Sequence, residues 1–305
     1  MLVLVREHED ELNRLNVFPV RDHDTGTNMA LTLEGVVKAV DASRGRPIRE
    51  LADAVEDAAL LEARGNSGVI LGEVLRGLFE TWTPLERIGA DDLVRGFRAA
   101  AERAEEAVIE PVEGTILTVA RATADAIEEL HGADLAADVA ALLAAAAEAA
   151  GRAVEATTSQ LEVLRRAGVV DAAARGFELC VRAFAATATG QPVPGAARRA
   201  PERREMTGEP TGTDDDHGPG RDARAGHGGP AFEVQYLLAC GERDAEELER
   251  YLAGIGESIA VARSDGRYRF HVHTDHAGAA IEDAIRRGPV SQIQIAYLRG
   301  APASE

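Results

Sequence analysis

The sequence predicts two units of different class. Residues 1–189 read as an all-α antiparallel helical barrel or bundle. Residues 190–230 read as a disordered linker, and residues 231–305 as a small α+β domain of split βαβ order. Three observations carry this. Apolar residues recur at helical spacing up to about Thr189, with strand-like alternation nearly absent. A stretch rich in glycine, proline and charge follows, almost free of large apolar side chains, and it cannot bury enough surface to fold. Beyond Pro230 the period falls to two, as strands require.

Taken in order, the first unit shows Leu51, Val55 and Ala58 at helical spacing. Leu93, Phe97, Ala100 and Ala104 follow Asp91, which is expected to cap their helix. The alanine-rich run "ADLAADVAALLAAAAEAAG" carries charge and is amphipathic, so it is expected to be a buried bundle helix and not a membrane span. Pro111 is expected to end one helix, and Gly114-Thr115 to start the next. In the second unit "FEVQYLL" alternates as a strand and "DAEELERYLAGIG" is a short helix. "SIAVARSDGRYRFHVHT" is a hairpin turned at Ser264-Asp265-Gly266. "AGAAIEDAIRRG" is a helix and "VSQIQIAYL" a last strand. The simplest packing of many amphipathic helices on short loops is a bundle, and strand, helix, two strands, helix, strand is the split βαβ order.

Composition narrows function. The 305 residues carry 33 basic and 52 acidic side chains, a formal net charge of −19. A general nucleic-acid or acidic-membrane binder needs the opposite sign, so neither partner is expected. Cys180 and Cys240 have no CxxC spacing, which fits a reducing cytoplasm. The opening "MLVLV" is too short for a signal sequence.

Three loops carry candidate chemistry. "DHDTGTN" places Asp22 and Asp24 one residue apart, so both can turn towards one hard cation such as Mg²⁺. Gly26 is expected to allow a sharp turn, after which the amides of Thr27 and Asn28 open a helix able to receive phosphate. "ARGNSGVI" brackets Asn66 and Ser67 with Gly65 and Gly68, small residues that let amides and a hydroxyl approach a phosphate. In "EPVEGTILTV", Thr115 can cap a helix or touch a nucleotide. Read singly, each loop fits an ordinary helix–helix turn better than a binding site. Together they could converge at one end of a bundle.

The ordered set "LNVFPVRDHDTGTNM", "ARGNSGVIL", "PVEGTILTV" and "LEVLRRAGVVDAAARG" resembles the nucleotide-binding, DhaL-like domain of the dihydroxyacetone kinase family. It is most similar to the bacterial fatty acid kinase A branch. The region from Phe232 to Leu298, with "FEVQYLL" and "HVHTD", resembles that branch's middle domain, after which longer relatives continue. The resemblance implies a helical barrel that binds ATP with two Mg²⁺ at its loop-rich end. Carried over, Asp22 and Asp24 are the catalytic metal ligands. Thr27 and Asn28 meet the terminal phosphates, Ser67 and Gly68 an inner phosphate, and Thr115 and Asp171 the nucleoside side. Asn16 stands near where relatives have a further aspartate. The implied reaction is phosphoryl transfer to an acceptor presented by a partner: a fatty-acid-binding (FakB-like) protein or a triose-binding subunit for dihydroxyacetone. A catalytically weak regulatory relative that pairs as a homodimer through its second domain is the alternative.

His271 and His273 lie at i and i+2 on a strand, on one face, a spacing that suits Zn²⁺ or two half-buried structural histidines. Relatives often carry cysteine in the first strand of this domain; here the aligned residue is Glu233, which can also hold Zn²⁺, and Cys240 is a further candidate. The sequence departs from the resemblance at His23, where relatives have glycine, at Arg21, and at "AAARG" after Asp171. If the His23 position needs positive φ, a histidine there is strained.

Overall fold

The computed structural model describes residues 1–83, 85–134, 137–191 and 229–298. Residues 192–228, the greater part of the expected linker, lie outside the described residues.

The helical unit opens with the short α1 (Leu2–Glu7) and α2 (Glu9–Leu15). Five helices follow: α3 (Thr25–Ala42), α4 (Ile48–Leu61), α5 (Gly65–Trp82), α6 (Ala90–Glu106) and α7 (Ile116–Ala133). The unit ends with α8 (Val139–Gln160), α9 (Glu162–Ala167) and α10 (Ala172–Ala188). Each long helix packs against the next, and α10 returns to α3 and α1, so the antiparallel series closes into a ring. Its interior is filled from all sides. Ile70, Val74, Trp82, Leu93, Phe97, Ile127, Leu142 and Phe177 form one cluster, and Leu4, Leu12, Met29, Leu33, Val55 and Leu71 another. Each such side chain contributes roughly 1.5–3 kcal/mol on burial. The alanine-rich run becomes α8, whose Ala146 and Ala150 are fully buried; small side chains with high helix propensity let α7 and α10 approach it. At Gly77 a Cβ would stand 2.6 Å from the Cα of Ala100, so α5 and α6 touch backbone to backbone there.

Local capping sets several helix starts. The Asp138 carboxylate accepts from the Ala141 amide at 2.8 Å, and that of Asp171 from the Ala174 amide at 2.7 Å. Two expectations are corrected. Asp91 lies inside α6; Gly89 is the N-cap, and Asp92 reaches back to its amide at 2.8 Å. The helix before Pro111 ends at Glu106, because the chain extends early to pair with the sheet. Val261 donates to Ala107 O at 2.7 Å and Ile109 to Ile259 O at 3.3 Å.

The second unit runs β1 (Phe232–Ala239), α11 (Glu242–Ile255), β2 (Gly256–Ser264), β3 (Arg267–Thr274), α12 (Ala277–Arg287) and β4 (Val290–Tyr297). All pairings are antiparallel, in the order β2-β3-β1-β4. The hairpin turns at Asp265 and Gly266, both at positive φ. One sheet face, with Val234, Tyr236, Leu238, Phe270 and Val272, packs on α11 and α12. The other face covers the α4–α5 corner, where Ala260 and Ala262 meet Leu60, Ala63 and Val69. Among the described residues no helix is long and apolar enough to cross a membrane.

Candidate functional site at the seam of the two units

A cavity of about 350 Å³ opens where the sheet meets the helical ring. Four helix starts line it: Asp24 and Thr25 of α3, Gly65, Asn66 and Ser67 of α5, Thr115 and Ile116 of α7, and Asp171 and Ala173 of α10. An antiparallel ring puts alternate helices the same way up, so their N-termini gather at one end, although in α3 the Gly26 and Thr27 amides already donate to Asn13 Oδ1 at 2.8 and 3.2 Å and the Asn28 amide to Asp24 O. Asn16, Phe18, Pro19, Val20, Val108, Ile109 and Val112 form its more apolar wall, and Glu233, His271 and His273 enter from the sheet.

Asp22 and Asp24 flank the turn before α3. The turn falls at His23, at φ 60°, and not at Gly26, which sits inside the first turn of α3. A Cβ on Gly26 would stand 2.4 Å from Glu9 O, so glycine is needed there for close approach to α2. His23 is exposed, and its Nδ1 donates to Asn13 O at 3.0 Å. The Asn16 side-chain amide donates to Asp22. Burial, then the charges of Asp22 and Glu233, push the Asp24 carboxyl up to about 7, and burial with Glu233 also raises Asp22.

Asn28 lines the cavity, with its side chain between Asp24 and Gly65. Gly65 has φ +58°, and a Cβ there would meet Asn28 Nδ2 at 2.3 Å, so the entry into α5 demands glycine on both counts. Ser67 lines the cavity. Thr115 caps α7, and its hydroxyl donates to Val112 O at 2.7 Å. The buried Asp171 accepts from Ala174, and burial raises its carboxyl to about 6. Two expected residues do not line the cavity. The Thr27 hydroxyl donates to Glu9 Oε1 at 2.8 Å and accepts from Asn13. Gly68 packs on α3, where a Cβ would meet Thr32 Oγ1 at 2.4 Å.

On the sheet, Glu233 and the two histidines converge. His271 Nδ1 stands 4.0 Å from Glu233 Oε1, His273 Nε2 stands 3.8 Å from Glu233 Oε2, and the two Nε2 atoms are 3.1 Å apart. Burial lowers His271 to about 3, with Arg269 adding to it. Burial and His271 lower His273 to about 4. Both rings are therefore neutral near pH 7, the form that ligates metal. Cys240 does not join them: it follows the far end of β1, where its amide donates to Gly266 O.

Sequence reasoning named Asn66 only as part of its loop, and missed Gln235 and Arg269. Asn66 Oδ1 is buried in the cavity wall without a hydrogen-bond partner. Gln235 Oε1 accepts from the Gly65 amide at 3.3 Å. Arg269, fully buried, donates twice to Ala63 O, at 3.2 and 3.0 Å, and to Gln292 at 2.7 Å. The available signal was the alternation in "RYRFHVHT": Arg267, Arg269, His271 and His273 share one face, opposite the apolar one.

Comparison with known proteins accords with this geometry. Residues 19–186 match the DAK2 domain, and residues 229–303 match the middle domain of the FakA-like fatty acid kinases. An uncharacterized protein of Staphylococcus saprophyticus is 30% identical over 297 residues, covering 96% of this chain and 52% of that protein. The protein YloV of Bacillus subtilis is 30% identical over 295 residues, covering 96% of this chain and 52% of its own length. The chain thus spans about half the length of the curated relatives it matches. The chain belongs to the DAK2 domain family, and joins that domain to a middle domain of the FakA-like fatty acid kinase type.

Proposed function

We propose that this chain is an ATP- and Mg²⁺-dependent kinase subunit that transfers a phosphoryl group to an acceptor held by a partner protein. One observation carries the reading: four helix N-termini and the Asp22–Asp24 pair face one cavity. Helix N-termini attract phosphate through the positive end of the helix dipole, whereas two carboxylates repel it. A site that holds both makes sense when a divalent cation stands between carboxylate and phosphate.

The residues fit such a cation. Asp22 and Asp24 have no Arg or Lys ion pair among the described residues, and the burial and mutual repulsion that raise the Asp24 carboxyl are what a bound cation would relieve. Bound Mg²⁺ supplies neutralisation of the terminal phosphates during transfer. The protein's own share is placement. Asp22 and Asp24 hold the cation, with Asn16 orienting Asp22 through its hydrogen bond. The start of α5 with Asn66 and Ser67, and the Asn28 side chain of α3, receive the phosphates, and Thr115 and Asp171 lie on the nucleoside side. The sheet limits access of water from one side.

The acceptor is a carboxylate or a hydroxyl brought by the partner: a fatty acid on a lipid carrier, or a triose on its own subunit. The middle domain of the fatty acid kinase type supports the first. Pairing of two copies through the second unit, raised with the regulatory alternative, is compatible with this reading as well, since β4 leaves Ile293, Ile295 and Tyr297 on the surface.

Calorimetry tests the site. ATP binds with Mg²⁺ present and not without it, and the Asp22→Asn/Asp24→Asn double variant loses that binding. Equal ATP affinity in the double variant overturns the assignment. The product identifies the acceptor: an acyl phosphate is trapped by hydroxylamine, whereas a phosphate ester of a triose is not.

A further inference from the structure

The carboxylate pair of the helical unit and the histidine pair of the sheet are not separate features. Asp22, Asp24 and Glu233 each offer an oxygen, all within 4.8 Å of one another. Glu233, His271 and His273 form a second such group under the same 4.8 Å limit. Glu233 belongs to both, and it is the residue that crosses the seam between the two units.

A cluster of acids alone would carry little, since such clusters occur on many surfaces. Here a second observation stands beside it. His271 and His273 are 0% and 2% exposed, both line the cavity, and the Nδ1 of each is buried with no hydrogen-bond partner. Buried polar atoms are seldom left so, because losing water without a replacement is unfavourable. Nor do the three carboxylates have a guanidinium or ammonium partner among the described residues. Asp22 takes a hydrogen bond from Asn16, Glu233 takes one from Gln235, and the closest charged-group contacts of Glu233 are with His271 and His273. Three carboxyl side chains and two buried imidazoles with unpartnered ring nitrogens therefore converge in one cavity, and none of the carboxyls has an Arg or Lys ion pair among the described residues. Divalent cations meet both needs: they accept nitrogen lone pairs and cancel carboxylate charge.

We propose that Glu233 is a shared ligand that joins two divalent-cation positions into one centre, the first on Asp22 and Asp24, the second on His271 and His273. The first position is all oxygen and suits a hard ion such as Mg²⁺ or Mn²⁺; the second is two nitrogens and an oxygen and suits Zn²⁺ or another borderline ion. A carboxylate has two oxygens, so one side chain can serve both. The sheet unit is then part of the metal centre of the helical unit, and metal binding holds the two units together. This rests on reading Asp22 and Asp24 as cation ligands.

The test uses the full chain and Mn²⁺ alone, without nucleotide, followed by calorimetry and electron paramagnetic resonance. Two Mn²⁺ ions bind per chain, and their spectrum is spin-coupled, not the six lines of isolated ions. Glu233→Gln abolishes the coupling and weakens both positions at least tenfold. Glu233→Asp, which keeps the charge but draws the carboxylate back by one methylene, also loses the coupling. Circular dichroism of each variant checks that the chain remains folded. Asp22→Asn/Asp24→Asn removes one ion and His271→Ala/His273→Ala the other. Two uncoupled ions in the unaltered protein, or a Glu233→Gln variant weakened at one position alone, overturns the shared ligand but leaves the Asp22–Asp24 site standing. No Mn²⁺ binding at all overturns both.

Discussion

At the residue scale, His23 shows how one position sets the geometry of two others. Its φ of 60° turns the chain so that Asp22 and Asp24 both face the cavity. A non-glycine residue in the left-handed region costs roughly 1–2 kcal/mol, and β-branching makes it worse. His23→Gly is therefore expected to be at least as stable as the natural chain, despite the lost contact with Asn13 O. His23→Val is expected to be less stable by about 1–2 kcal/mol. Urea denaturation separates them, and equal stability of the two variants would remove strain as the explanation. Asp171 offers a second test, of charge. Its carboxyl rises from 3.8 to about 6 in the fold, so the folded state holds a proton more tightly than the unfolded one. Stability from this group is therefore full below the unfolded value and is lost as pH climbs towards 6, then stays level. Asp171→Asn keeps the cap acceptor without the charge. It is expected to exceed the natural chain by about 1–3 kcal/mol at pH 8, a gap that closes near pH 4. A gap independent of pH would show that burial does not disfavour this carboxylate.

At the scale of elements, β3 is the most informative strand. Its two faces do different work: Tyr268, Phe270 and Val272 fill the sheet's own core, while Arg269, His271 and His273 meet the helical unit. The alternation was readable in the sequence, and so was the common face of the histidines. What covered that face was not, because a buried polar face and a solvated one have the same pattern. Arg269 decides the matter energetically. It is fully buried and gives two hydrogen bonds to Ala63 O, just ahead of the first turn of α5. Arg267, two residues away, makes an ion pair with Asp57 at 2.5 Å, but both side chains are substantially exposed. A surface pair contributes under about 1 kcal/mol, whereas stranding a buried carbonyl costs about 1–3 kcal/mol. Arg269→Met is thus expected to lower stability by about 1–3 kcal/mol, and Arg267→Met by less than about 1 kcal/mol. Chemical denaturation of the two variants reads the difference; equal losses would show that the buried Arg269–Ala63 contact does not hold the sheet on the helical unit. The helices were legible for local reasons, since periodicity and the caps Thr115, Asp138 and Asp171 act within one turn. The miss at Asp91 is of the same local kind: capping by Asp92 through Gly89 shifts the start by a residue or two.

At the scale of the whole molecule, the site is a product of closure. The helical ring turns four helix starts towards one end, and the sheet then lies across that end with Glu233, His271 and His273 inward. The sequence by itself determined the two classes of unit, the order of their elements, the paired aspartates and the shared face of the two histidines. Each of these is written in residues a few positions apart. Only the tertiary structure decided that Glu233 stands beside Asp22 and Asp24, that Thr27 and Gly68 are spent on packing, and that Arg269 and Gln235 hold the entry to α5. Arg269 and Ala63 are 206 positions apart in the chain. No local rule links residues at such a distance; they meet because burying the apolar corner of α4 and α5 under the sheet brings every polar group on the two surfaces into contact as well.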